Sequence, residues 1–179
     1  IQTAHCENGV TVNLLKQQGL DFLTEPLAFG IGSGLFYIHI PFLKVNGGPA
    51  ISFRSMPGSI FSRTCKVLDV KVDRKKFRSK EVAQSYLDEK LDAGLSVGCQ
   101  VWVFHLMYFP KAYRFHFNAH NLIIYGKEGD NYLVSDPVME TTTTLTTAEL
   151  EKVRFAKGAL APRGHIYHPI EVGDITDEM

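Results

Sequence analysis

Cys6, His120 and Asp136 are the residues whose types could together do chemistry. A cysteine hydrolase or acyltransferase needs a thiolate nucleophile, an imidazole to move the proton, and a polar group to orient that imidazole. Cys6 stands in "IQTAHCENGVTVNLLKQQG" beside His5, where an apolar run with helical spacing begins. At a helix N-terminus, free N–H groups and the positive end of the helix dipole favour thiolate and can also bind an oxyanion. His120 falls in "HFNAHNLIIYG" and Asp136 in "NYLVSDP". If those two stretches pair, the two side chains become cross-strand neighbours. Each residue alone also has a plainer reading: Cys6 as a small core hydrophobe, His120 as a hydrogen-bonded core histidine, Asp136 as a turn initiator before Pro137. His5 is adjacent to Cys6 at a helix entry, which directs it away from the role of base and leaves it as a pocket or oxyanion-side residue.

The elements that must position these groups follow from periodicity. Val10, Leu14 and Leu15 predict a helix over 7–18 with Cys6 at its first turn and Gly19 just past its end. "EPLAFGIGSGLFYIHI" reads as a glycine-rich turn running into a strand at 35–40, closed by Pro41, and "KVNGGPAISF" as a turn before a strand at 50–53. "CKVLDVKVD" alternates as a half-buried strand over 66–72. Ser79 is placed to cap the helix in "KEVAQSYLDEKLDAG", with Val82, Ala83, Tyr86, Leu87 and Leu91 on one face. "LSVGCQVWVFHL" reads as a central strand covered on both sides. "HNLIIYGKEGDNYLVSDP" predicts a hairpin, and "TTAELEKVR" a short helix capped by Thr146 or Thr147 with Glu149 in its first turn. Helices and runs of strands in this order give an α+β class with a mainly antiparallel sheet.

Composition excludes several classes. The 179 residues fit one domain, and 19 basic against 19 acidic side chains leave no net field to attract nucleic acid or an anionic membrane. No stretch is apolar enough for a membrane span. Cys6, Cys65 and Cys99 are odd in number and lack C-x-x-C spacing, so neither zinc nor a disulfide framework is indicated and a reduced, cytoplasmic chain is the reading. His116 and His120 have a helical metal-pair spacing, but the Glu of H-E-x-x-H is absent and "NLIIYG" argues for a strand. "GIGSG" lacks phosphate-loop spacing and reads as a close-approach turn beside a ligand or a helix. "DRKKFRSK" is a solvated basic turn, or a docking patch for an acidic carrier protein. The reading calls for no cofactor and no metal. The chain begins at Ile1 rather than Met, as a processed or trimmed chain would, and "GDITDEM" reads equally as a boundary.

Taken together, "HCENGVTVNLLKQQG", "EPLAFGIGSGLFYI", "DAGLSVGCQV", "AHNLIIYG" and "YLVSDP" resemble the N-terminal domain family of butirosin biosynthesis protein H. The resemblance runs from Thr3 to Pro137, which divides the chain into a core of about 3–137 and an extension over 138–179. It implies a papain-like, C39 peptidase-like cysteine hydrolase fold, whose order of Cys, His and carboxylate is the one found here. It also implies acyl transfer from a thioester, an acyl carrier protein among the donors, to a small-molecule amine. Amide or peptide hydrolysis on the same dyad and a non-catalytic ligand-binding domain are the alternatives. Carried over by residue, Cys6 is the nucleophile, His120 the base and Asp136 the orienter. Glu25 with Gly30, Gly32 and Gly34 forms a second motif that shapes the pocket. Gln2, four residues before Cys6, is a candidate oxyanion donor. Ala119 replaces the usual glycine before the histidine, Asn121 replaces an apolar residue after it, and the helical second domain common in the family would lie beyond Met179.

Overall fold

A computed structural model describes residues 2–45 and 47–173. The closing "DITDEM" lies outside them. Among the described residues, the centre is a six-stranded antiparallel sheet in the order β3-β8-β4-β5-β6-β7, formed by β3 (Val70–Lys75), β4 (Val97–Val101), β5 (His120–Glu128), β6 (Asn131–Ser135), β7 (Thr143–Thr146) and β8 (Ile166–Val172). Side chains on adjacent strand positions face opposite ways, and the core divides accordingly. Leu122, Ile124, Cys99 and Ile166 join one cluster with Leu87 of α4 (Lys80–Asp92) and Leu150 and Val153 of α5 (Thr147–Arg154). Ile123 and Tyr167 join the other, with Val10, Leu14 and Leu15 of α1 (Cys6–Lys16) and Phe61 of α3 (Ser59–Val67). Covering on both faces explains why β5 begins as five consecutive buried residues.

Helix α1 starts at Cys6, ends two residues before the predicted end, and packs on β4, β5 and β8. Gly19 beyond it has φ of 89°, a conformation glycine adopts without strain. Ser79 accepts a hydrogen bond from Val82 N–H and caps α4, although Val82 itself is 58% exposed and leaves the predicted apolar face to its neighbours. Thr146 and Glu149 form a full capping box at α5. In the β5–β6 hairpin, Ile123 is paired with Ser135, so Asp136 falls just past β6 and diagonal to His120.

Four sequence expectations are corrected. Residues 25–31 form α2 (Glu25–Ile31), not a turn, capped by Thr24, with Glu25 and Pro26 in its first turn. β1 (Leu35–Val45) continues past Pro41 through an irregularity between Ile40 and Lys44 and pairs with β2 (Gly48–Arg54) alone, a two-stranded ribbon on which a residue without an N–H is tolerated. The strand expected over 66–72 is instead the end of α3, a turn at Asp69 with φ of 47°, and β3. Ile60, Phe61, Thr64 and Cys65 bury a helical face there, which overrides the alternation that follows. Finally, residues after Pro137 are no appendage: β8 lies between β3 and β4, and the "TTTT" tract supplies the first half of β7. From the basic run, Arg74 donates from Nε to His165 Nε2 at 2.9 Å and from Nη1 to Ser62 Oγ at 2.6 Å.

Gly32 ends α2 where that helix meets α3. A Cβ on it would stand 2.8 Å from Ile60 Cα and 2.9 Å from Ala28 O, both backbone atoms that cannot rotate away. Gly32→Ala is therefore expected to cost about 1–3 kcal/mol by overpacking. Urea unfolding would show a lower midpoint with an unchanged slope, and an unaltered midpoint would refute the close approach.

Candidate active site

The start of α1 is held in place from two sides. The Glu25 carboxylate accepts the N–H of Ala4 at 2.9 Å and that of His5 at 2.8 Å, so the second motif, placed in the sequence as a pocket former, acts on the loop that delivers Cys6. Thr3 N–H donates to Pro137 O at 2.6 Å, tying the same loop to the residue after Asp136. Gly9 permits this, since a Cβ there would lie 2.1 Å from Thr3 Oγ1 and 2.5 Å from Pro137 Cβ. Among the described residues no side chain caps α1, which leaves the N–H groups of its first turn without a capping acceptor. Glu7, in that turn, is buried and accepts Ile60 N–H at 2.9 Å and Phe61 N–H at 3.3 Å, fastening α1 to the start of α3. Burial raises its carboxyl pKa, and the N–H bonds partly offset that rise.

Cys6, His120 and Asp136 are brought together and almost wholly buried, Cys6 retaining 7% exposure. His120 Nε2 and Asp136 Oδ2 are 2.7 Å apart. Asp136 also accepts the Tyr108 hydroxyl at 2.7 Å and the Val138 N–H at 3.2 Å, which fixes the carboxylate. With Nε2 so engaged, Nδ1 is the ring nitrogen left free of the carboxylate, and His120 is the group that most lowers the Cys6 thiol pKa. Burial would lower the His120 pKa, but Asp136 and Cys6 outweigh it and raise it to about 10. Burial likewise pushes the Cys6 thiol up, yet the His120 hydrogen bond and charge and the N–H of Asn121 bring it below the ordinary thiol value. Both shifts run toward a thiolate facing an imidazolium, the state a nucleophilic cysteine needs.

The other candidates have distinct places. Asn121 lends its backbone N–H to the sulfur, while its side chain accepts the Tyr167 hydroxyl at 2.8 Å and donates to Ala119 O at 3.0 Å. His5 lines the cavity beside Cys6, and burial, together with the positive charges of Arg54 and His120, lowers its pKa to about 4, so it is neutral at pH 7. Gln2 lies on the exposed side of the same cavity. Gly32 is not on it: Gly32 serves the α2–α3 contact and Gly34 a bend under the Phe29 ring, while Gly30 faces open space. His116 stacks on Phe104 with ring centroids 4.1 Å apart, away from His120, and among the described residues no three His, Cys, Asp or Glu side chains converge as a metal site. Sequence reasoning missed Tyr108, Tyr167 and Glu7, because nothing in their spacing marks them as partners of Asp136, Asn121 and α3.

The cavity is about 850 Å³, with Cys6 and His120 in its lining. Val103, Phe109 and Phe117 come from the β4–β5 connection and Val138 and Met139 from the segment after Asp136. The Phe109 ring stands edge-on to His120, centroids 5.5 Å apart. A site of this kind can form and break acyl–sulfur bonds, given a carbonyl at the sulfur and an amine or water to follow.

Residues 5–137 match the family described as butirosin biosynthesis protein H, N-terminal. No curated protein matches the sequence. Among solved structures, one described as a C39-like peptidase from Bacillus anthracis aligns over 97% of this chain and 94% of its own, with TM-score 0.65 and 12% identity. The peptidase domain of Streptococcus ComA, a bi-functional ABC transporter of a quorum-sensing pathway, aligns over 94% and 93%, with TM-score 0.53 and 13% identity. At such identities the likeness is one of fold, and that fold is the papain-like, C39-like one.

Iodoacetamide near pH 7 should modify Cys6 selectively, because burial pushes Cys65 up to about 12 and Cys99 to about 11. His120→Ala removes the hydrogen bond and charge that lower the Cys6 pKa and leaves burial, so its reactivity midpoint should move upward and its rate at pH 7 fall by about tenfold or more. Equal labelling of all three cysteines by mass spectrometry would contradict this assignment.

Proposed function

The chain belongs to the butirosin biosynthesis protein H N-terminal family, and from that premise we propose that it is a cysteine acyltransferase moving an acyl group from a thioester to an amine. The observation that carries the reading is Cys6 and His120 buried together in the wall of one cavity, with His120 Nε2 2.7 Å from Asp136 Oδ2. In the first step Cys6 Sγ attacks the thioester carbonyl, the carbon–sulfur bond to the donor breaks, and the His120 imidazolium gives its proton to the departing thiolate. In the second, the amine nitrogen attacks the acyl carbon, the bond to Sγ breaks, and neutral His120 takes the amine proton, restoring the ion pair. The N–H groups at the start of α1, with Gln2 nearby, are the candidates to hold the oxyanion of each step. An acyl carrier protein is the donor the family suggests.

Hydrolysis is the second reading, favoured by the C39-like peptidase fold of the structural neighbours. Water then replaces the amine. The apolar walls beside Cys6 support transfer, since they hinder water from competing for the acyl-enzyme.

Incubation with a butyryl thioester of N-acetylcysteamine should add one butyryl mass to Cys6, and a primary amine should convert it to amide in excess of free acid. Cys6→Ala should abolish the adduct, and an adduct that persists in it would sink the proposal. Release of butyrate alone, whatever the amine concentration, would select hydrolysis. The acylation rate should fall on the alkaline side as His120 loses its proton near pH 10, and on the acid side as the thiolate is protonated below the ordinary thiol pKa.

A further inference from the structure

An acyl group bonded to Cys6 Sγ has to lie in the cavity that the sulfur faces, so the walls of that cavity select what the group can be. Their polarity is graded. Val103 and Phe109 are buried and Phe117, Val138 and Met139 half-buried, and none carries a polar side-chain group able to pair with a charge. The polar lining residues away from the reacting centre, Gln2, Tyr113, Glu140 and Thr141, are all exposed and form the rim. Among the described residues no Lys or Arg lines the cavity, and the one formal charge at the rim is the Glu140 carboxylate. Beyond the reach of His120, an anionic acyl terminus would meet no Lys or Arg and a like charge at the exit, while a cationic one would lose its water against aromatic rings. The apolar wall also reaches the reacting centre itself, through the edge of Phe109 on His120.

We propose that the acyl group handled by Cys6 is a medium-length aliphatic chain, seated among Val103, Phe109, Phe117, Val138 and Met139, with the amine acceptor approaching past the polar rim. This rests on the acyl-transfer reading. A volume of about 850 Å³ is in the range that encloses a ligand of such size with its chain buried. Each methylene moved from water to these walls then contributes to binding of the donor.

The test uses acetyl, butyryl, hexanoyl and octanoyl thioesters of N-acetylcysteamine beside the succinyl and glycyl thioesters, with acylation of Cys6 followed by intact mass. The kcat/KM for acylation should rise about fourfold per added methylene until the cavity is filled. The two charged donors should react at least about tenfold more slowly than butyryl. Met139→Lys should shift the succinyl-to-octanoyl ratio toward succinyl by more than about tenfold, with iodoacetamide labelling of Cys6 reporting that the nucleophile is intact. Calorimetry on the Cys6→Ala protein should find an unreactive octanoyl amide analogue bound at least about tenfold more tightly than the acetyl one. A rate independent of chain length, or a preference for succinyl or glycyl, would overturn this inference and leave acyl transfer standing. No acylation by any donor, with Cys6 still labelled by iodoacetamide, would overturn the acyl-transfer reading and this inference with it.

Discussion

A charged imidazole in a closed interior is unstable unless both of its nitrogens face negative charge, and the site depends on meeting that condition at His120. Asp136 lies at 2.7 Å, and the Cys6 sulfur is the second group that holds the His120 pKa up. Removing either partner would leave a buried cation half compensated. Much of the surrounding structure keeps those two partners in register: the β5–β6 hairpin for the carboxylate, Tyr108 and Val138 for its orientation, and the Glu25 clamp on Ala4 and His5 for the sulfur.

The clamp gives the glycine-rich second motif a physical meaning. Glu25 opens α2, and α2 stays close to α3 because Gly32 presents no side chain to Ile60. α3 in turn has its leading N–H groups satisfied by Glu7, one residue after the nucleophile. The three helices thus form a closed circuit of contacts, from α1 to α3 to α2 and back to the loop before Cys6. A motif without a side chain in the cavity can still govern where Cys6 stands.

What could be read in advance was local. The α1 and α4 helices, the α5 capping box and the β5–β6 hairpin each have a cap or a periodicity contained within a few turns of sequence, and the structure has them close to their expected bounds. Cys6, His120 and Asp136 could be named because nucleophile, base and orienter are restricted to few residue types. The misses share a different cause. In α3 and β3, helical and alternating patterns overlap across Cys65 to Val72, and tertiary burial of Phe61 and Cys65 decides between them. In α2, Thr24, Glu25 and Pro26 are a sound helix start, outweighed in the sequence by three glycines, of which Gly30 lies inside the helix and Gly32 ends it. β8 could not be recognised as interior because its position between β3 and β4 is a matter of topology, not composition. Tyr108 and Tyr167 are ordinary aromatics until the fold sets their hydroxyls against Asp136 and Asn121.

The position of β8 has a consequence in time. It is the last strand to be synthesised among the described residues, yet it joins β3 to β4, so the sheet stays divided until the chain has emerged through Val172. Cys6 leaves the ribosome long before His120, Asp136 and the strand that completes their support. Throughout that interval its sulfur lacks the neighbouring cation and remains a protonated thiol of ordinary reactivity. The neighbours that lower the Cys6 pKa, His120 and Asn121, are thereby met only when α1 packs against β5.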